Sequence, residues 1–303
     1  MELRHIRYFL AVADEGNFTR AAARLGIGQP PLSQQIRDLE REVGAQLFHR
    51  VPHGAELTDA GLAFRERVAP LPELAADAME AARRAARGEI GELNLGFTST
   101  AALNPIVPRL IRTFRRERPD VALRLVEANS VALRDALLEG RLDAAILRPN
   151  DGDPASIIAY TLAVEPLVAA IPKSLDAAPE ADTIDLAALS EEPLILTPRA
   201  TGASLHDLAV AACRAAGFEP VLGQPAPQIA SILSLVSAEL GFSLVPASTR
   251  QLAIENIAYK TLAKGATADI AAAVLRGSLP PTAHAFIMQA RALRGRMEEA
   301  PDR

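Results

Sequence analysis

Ser204 and His206, in "GASLHD", are the side chains nearest to a nucleophile beside a base. Two residues apart on a helix do not face each other, and the stretch lacks the G-x-S-x-G turn that exposes a serine. A hydrolytic enzyme is therefore only the weakest alternative, and no catalytic residue is assigned. His49 and His53 have the spacing of a helical metal pair, but Pro52 between them prevents the helix. Cys213 is the single cysteine, which excludes an internal disulfide, a thiol-pair switch and a cysteine-based zinc site. No glycine-rich phosphate loop occurs. Neither a metal nor a cofactor is expected.

Binding chemistry is better represented. Thr98-Ser99-Thr100, Asn129-Ser130, and Thr197 with Arg199 each follow a strand-like run, and Arg148 ends a fourth, "AAILR". Hydroxyls, helix N-termini and two guanidinium groups converging on a cleft would suit a small anion, most simply a carboxylate. The same residues would also serve as plain helix caps and surface ion pairs. A second group is "QPPLSQQIRDLE", whose amides and arginine suit base edges and phosphates.

The elements that must position these groups follow from length and periodicity. At 303 residues, two or three domains are expected. Nearly half the residues are apolar, yet no run approaches the roughly 18 of a membrane span. The N-terminus has charges of both signs among its apolar positions and no cleavage pattern, so it reads as unprocessed and cytoplasmic. Net charge is −5, and residues 1–60 hold seven arginines, no lysine and eight acids. DNA binding would therefore depend on a placed face of arginines and amides rather than on bulk charge.

Leu3, Ile6, Leu10 and Ala13 predict a helix with one buried face, ended by Gly16. Asn17 suits the N-cap of a second helix burying Phe18, Ala22 and Leu25. A third starts near Pro30 and buries Leu32, Ile36, Leu39 and Val43, with Ser33, Gln34 and Arg37 outward. Gly26 and Gly28 then make a tight turn between two packed helices, the helix-turn-helix arrangement. Leu47, Phe48 and Leu57 around Pro52–Gly54 predict a hairpin carrying Arg50 and His53.

The segment "MELRHIRYFLAVADEGNFTRAAARLGIGQPPLSQQIRDLEREVGAQLFHR…LTDAG" resembles the winged helix-turn-helix of the LysR-type transcriptional regulators. The resemblance implies duplex DNA as partner. It places Gln29, Pro30, Ser33, Gln34 and Gln35 at the recognition-helix end, with Arg50 and His53 on the wing. Family members usually have serine where Gly28 stands, and often a cation at Gln34 and His53. Fewer cations imply a shallower salt dependence.

Residues 59–90 are expected to form the dimerising linker helix after a DNA-binding domain at 1–58. Phe64, Val68, Leu71, Ala75, Ala78, Ala82 and Ala85 make a seven-residue seam. Pro70 and Pro72 predict a kink or a two-piece helix.

Beyond Gly91, strand and helix alternate, arguing for a parallel α/β sheet. The runs are "ELNLGFTS", "DVALRLVEA", "AAILR", "EPLILTP" and "GFSLVPAS". Residues 91–303 resemble the two-lobed, type 2 periplasmic-binding-protein-like effector domain of the same family, with Rossmann-like lobes. Lobe I is expected at 91–162 and 267–303, lobe II at 163–266. "EGRLDAAILR" and "ELGFSLVPAST" resemble regulators of aromatic-compound degradation responding to benzoate and muconate.

That likeness implies an aromatic or dicarboxylic acid held by Ser99, Thr100, Asn129, Ser130, Thr197, Pro198 and Arg199, with Arg148 nearby. It also implies a homodimer assembling to a homotetramer, RNA polymerase as a further partner, and effector-driven change in DNA bending. A repressor indifferent to small molecules is the alternative.

Overall fold

The computed structural model describes residues 1–52, 54–277 and 279–298. The chain forms two units, Met1–Arg83 and Arg84–Arg303, each with its own core.

The first unit contains helices α1 (Leu3–Glu15), α2 (Phe18–Leu25) and α3 (Gln29–Val43). A hairpin of β1 (Phe48–Val51) and β2 (Gly54–Leu57) follows, then α4 (Asp59–Val68) and α5 (Leu71–Ala86). The inner face of α1 is Ile6, Phe9, Ala11 and Val12, whereas Leu3 is exposed and Leu10 and Ala13 are half-buried. Phe9 sets this phase: its ring lies 5.2 Å from Phe48 and 4.9 Å from Phe64, an aromatic cluster at the centre of the core. Asn17 caps α2 by accepting from the Thr19 and Arg20 amides, a contact worth about 1 kcal/mol. Leu32, Ile36 and Leu39 anchor α3, while Val43 is left exposed. Gly54 allows the hairpin to lie against the α1–α2 turn, because a Cβ there would meet the Gly16 carbonyl oxygen at 2.2 Å.

The helix breaks between α4 and α5 at Ala69 and Pro70, because a proline lacks the N–H and its ring crowds the preceding turn. Pro72, in the first turn of α5, costs no hydrogen bond. Val68 is buried, and Phe64 and Leu71 pack on the core. No residue of α5 is buried, and Leu74 and Met79 are exposed along it.

In the second unit, β3 (Ile90–Phe97), β4 (Asp120–Glu127) and β5 (Ala144–Leu147) are parallel in the order β4-β3-β5. They are joined by α6 (Ser99–Ala102), α7 (Ile106–Glu117) and α8 (Ser130–Leu138). The sheet is not parallel throughout. Two long strands, β6 (Ile157–Pro172) and β10 (Thr267–Leu275), run antiparallel to each other, and β10 is antiparallel to β5. They carry the chain into and out of lobe II. There β8 (Ser243–Pro246) and β9 (Ile257–Leu262) flank β6, and short β7 (Thr183–Ile184) pairs with β9. Helices α9 (Arg199–Ala215) and α10 (Ile229–Ser237) complete lobe II, and α11 (Pro281–Glu298) returns to lobe I.

The expected strand "EPLILTP" makes only single bridges, Leu194 to Leu222 and to Phe242. Its amides change partner from Val221 to Phe242 within two residues, so no ladder extends.

Candidate functional site

The turn between α2 and α3 sets the first site. Gly26 adopts φ +68°, a left-handed conformation closing α2, and Gly28 precedes α3. Gln29 and Pro30 thereby open α3. The Gln29 amide donates to Ser33 Oγ at 2.8 Å, leaving its carbonyl oxygen uncommitted. Ser33 is 4% exposed, so it is not on the outer face as expected. Its one-turn offset from Gln29 points it toward the core, where it positions that amide.

Farther along, Arg37 donates to Gln34, Gln34 donates to Asp38, and Arg41 pairs with Asp38, an exposed polar chain on the outer face. Gln35 is held by a residue that periodicity did not single out. His5 Nε2 lies 3.0 Å from Gln35 Oε1, while His5 Nδ1 accepts from the Glu2 amide at 3.3 Å. Nε2 therefore carries the proton, and the Gln35 NH2 group remains available to a partner.

Arg50, on β1, lies over the Phe18 ring at 5.4 Å. His53 lies outside the described residues. Of the seven arginines in residues 1–60, Arg4, Arg20, Arg24 and Arg41 meet carboxylates. Among the described residues, Arg7, Arg37 and Arg50 have no acidic partner and are exposed. The amides at the start of α3, with Arg37 farther along it and Arg50 on the hairpin, have the chemistry for base edges and phosphates.

The second site is a cavity of about 360 Å³ at the carboxyl ends of β3, β4 and β5, closed by lobe II. Ser99, Thr100, Asn129, Ser130, Arg148 and Thr197 all line it. Asn129 caps α8 through its Oδ1, which fixes Nδ2 as a free donor. Lobe II adds residues that no sequence signal marked: Leu205, Gln228, Ile229, Ile232 and Leu244. The four apolar ones belong to the inward faces of α9, α10 and β8, which periodicity reads as core, and Gln228 stands at the N-cap of α10.

Pro198 and Arg199 do not line the cavity. Arg199 is exposed and forks onto Asp207 at 2.7 and 2.9 Å on the outside of α9. Hydrogen bonding to Arg199 holds the Asp207 carboxyl below its ordinary range. The expected pair of guanidinium groups is thus reduced to Arg148.

Arg148 is itself neutralised. Its Nη2 meets Glu165 at 2.8 Å, and its Nε donates to Thr100 Oγ1 at 3.3 Å. Glu165 also accepts from the Ser248 amide at 2.7 Å. The Arg148 carbonyl accepts from Ser204 Oγ and from Arg134. Burial lowers the Arg148 pKa and Glu165 opposes that shift, so the guanidinium, far above neutral to begin with, stays charged. Thr100, Arg148, Glu165 and Ser248 form one continuous chain from lobe I through β6 to lobe II.

Ser204 is therefore committed to a carbonyl, and His206 Nδ1 to the Thr197 carbonyl at 2.9 Å. Burial pushes the Cys213 thiol up to about 11, which leaves it unreactive at neutral pH. No described helix is long and apolar enough to cross a membrane.

Residues 3–62 match the family described as bacterial regulatory helix-turn-helix protein, lysR family, and residues 86–294 match the LysR substrate binding domain. The chain is 42% identical over 266 residues to the HTH-type transcriptional regulator IlvR of Caulobacter vibrioides, covering 86% of this chain and 88% of that one. It is 39% identical over 262 residues to BudR of Raoultella terrigena, with 86% and 90% covered. Full-length CbnR complexed with its target DNA superposes with a TM-score of 0.78 at 30% identity, over 97% of this chain and 100% of that one.

Such relatives are named as transcriptional regulators, which removes the hydrolase alternative. The chain belongs to the LysR family of DNA-binding transcriptional regulators, carrying a helix-turn-helix domain and an effector-binding domain.

Proposed function

We propose that a small organic acid binds in the cavity between the lobes and alters how a homotetramer presents its winged domains to duplex DNA. The observation that carries this reading is the cavity itself. It is of ligand size, and its wall holds hydroxyl and amide donors with no partner among the described residues, Ser99, Ser130 and the Asn129 NH2. Beside it, the Thr100–Arg148–Glu165–Ser248 chain supplies the coupling. A carboxylate that accepts from Arg148 Nε in place of Thr100 Oγ1 competes with that chain and shifts one lobe against the other. Moving the assembly from 1:99 to 99:1 requires a difference of about 5.5 kcal/mol between the two states.

In this reading Gln29, Gln34 and Gln35 read base edges, and Arg37 and Arg50 meet phosphates. Pairing through the exposed seam of α5 joins two chains, because one recognition helix reads too few bases for a rare site. The test is the electrophoretic mobility of the full chain on a duplex selected from a randomised pool, with and without a panel of organic acids. An acid-dependent change in mobility at constant occupancy supports the proposal. Mobility and affinity unchanged across the panel would leave a repressor indifferent to small molecules.

A further inference from the structure

The three glutamines of α3 differ in what fixes their amides. Gln34 spends both ends on its own helix, accepting from Arg37 and donating to Asp38. Gln29 donates to Ser33 Oγ, but a hydroxyl can give or take a proton, so that contact does not decide which end of the amide faces out. Gln35 alone is held by a group that cannot reverse.

The constraint begins at a backbone N–H, which can only donate. His5 is the third residue of α1, where its Nδ1 accepts from the amide of the N-cap residue Glu2 at 3.3 Å, a bond that Glu or Gln usually takes in a capping box. Nδ1 is therefore bare, and the proton of the neutral ring sits on Nε2. That nitrogen lies 3.0 Å from Gln35 Oε1, so the bond runs from ring to oxygen. Were the amide turned over, two N–H groups would face each other. Both side chains are half-buried, and the contact joins α1 to α3.

The consequence lies in what Gln35 can show to DNA. A free glutamine presents acceptor and donor together, which matches adenine N6 and N7. With its oxygen turned to α1, Gln35 offers its NH2 end alone. Donors without an acceptor match guanine N7 and O6 or thymine O4, and not the amino groups of adenine and cytosine.

We infer that His5 is a positioning residue that makes Gln35 a donor-only reader, selecting an acceptor edge, guanine N7 and O6 or thymine O4, in the major groove. This rests on the reading of Gln35 as a base contact.

The test uses the full chain and the duplex selected from a randomised pool, with each base pair replaced in turn. The pair at which Gln35→Ala erases preference is the one Gln35 reads. There, 7-deazaguanine for guanine or 5-methylpyrimidin-2-one for thymine deletes an acceptor, while purine for adenine or pyrimidin-2-one for cytosine deletes a donor. Measured against Gln35→Ala on the same duplexes, wild type should lose at least about fivefold in affinity on acceptor deletion and little on donor deletion. His5→Glu keeps a usual capping-box residue but sets an acceptor where Nε2 donated. Gln35 then turns over, and donor deletion should become the costly one, on top of a uniform loss from the added charge. His5→Gln can accept from Glu2 and donate to Gln35, and should keep the wild-type pattern. A purely structural His5 would move all affinities together and leave the pattern alone.

Wild-type sensitivity to donor deletion, or a pattern that His5→Glu leaves as it was, would overturn the inference while Gln35 remains a base reader. If His5→Glu binds too weakly to measure, His5→Ala decides: a released Gln35 should respond to both deletions alike, and an unchanged pattern overturns the inference. Gln35→Ala erasing no preference at any pair would overturn the base-contact reading and the inference together.

Discussion

Replacing Glu165 by glutamine isolates the charge in the chain that links the lobes. The side chains of Arg148 and Glu165 are 3% and 4% exposed and 2.8 Å apart. Glutamine keeps the shape and can still accept from the Ser248 amide through its oxygen. What disappears is the countercharge, leaving a buried guanidinium without compensation. Removing one partner of a buried pair costs about 3–5 kcal/mol. For a unit the size of Arg84–Arg303, roughly 2–4 °C is lost per kcal/mol, so its transition should fall by about 6–20 °C. Differential scanning calorimetry of the full chain reads this. Arg148→Met combined with Glu165→Gln removes both charges and should recover part of the loss. A Glu165→Gln transition within about 1 kcal/mol of wild type, or a double variant no better than the sum of the single ones, would refute the argument.

Three further outcomes follow from the same geometry. Gln29→Ala should cost about 1–3 kcal/mol at a matched site and little at random duplex, as read by competition binding; an equal loss on both would remove Gln29 as a base reader. Arg199→Ala should leave acid binding and the thermal transition essentially unchanged, because the Arg199–Asp207 pair is exposed and outside the cavity. The dependence of DNA affinity on salt should be shallow. Arg37 and Arg50 on each of two chains, at about 0.9 per phosphate, give a log–log slope near −4 for a dimer; a slope steeper than about −8 would mean that further cations engage.

The elements closed by glycine, proline and capping residues were legible because each of those residues acts locally. Asn17 caps α2, Gly26 turns the chain, and Pro70 breaks the helix regardless of distant contacts. The phase of α1 was not legible. Apolar residues at positions 3, 6, 9, 10, 12 and 13 cover about half of its circumference, wide enough for more than one inner face, and contact with Phe48 and Phe64, distant in sequence, selects Phe9. The antiparallel return of β10 was hidden for a similar reason, since alternation of strand and helix carries no information on strand direction at a lobe crossing.

In the cavity, Ser99, Asn129 and Ser130 follow from their place at strand ends. Arg199 occupies an equivalent place in the sequence, but it opens α9 ahead of a kink at Gly202, with its side chain outward on Asp207. The neutralisation of Arg148 also depends on a partner 17 residues away on another strand. Charge pairing across a fold is a tertiary fact, and neither Arg148 nor Glu165 carries a local signal of its partner.

Coupling between the cavity and DNA is reciprocal by thermodynamic necessity. Butyrate or benzoate can be titrated into the free chain and into the chain saturated with its selected duplex. The account predicts dissociation constants that differ at least about fivefold, matched by the same factor in DNA affinity when the acid is present. Equal acid affinity for the free and the DNA-bound protein would contradict it.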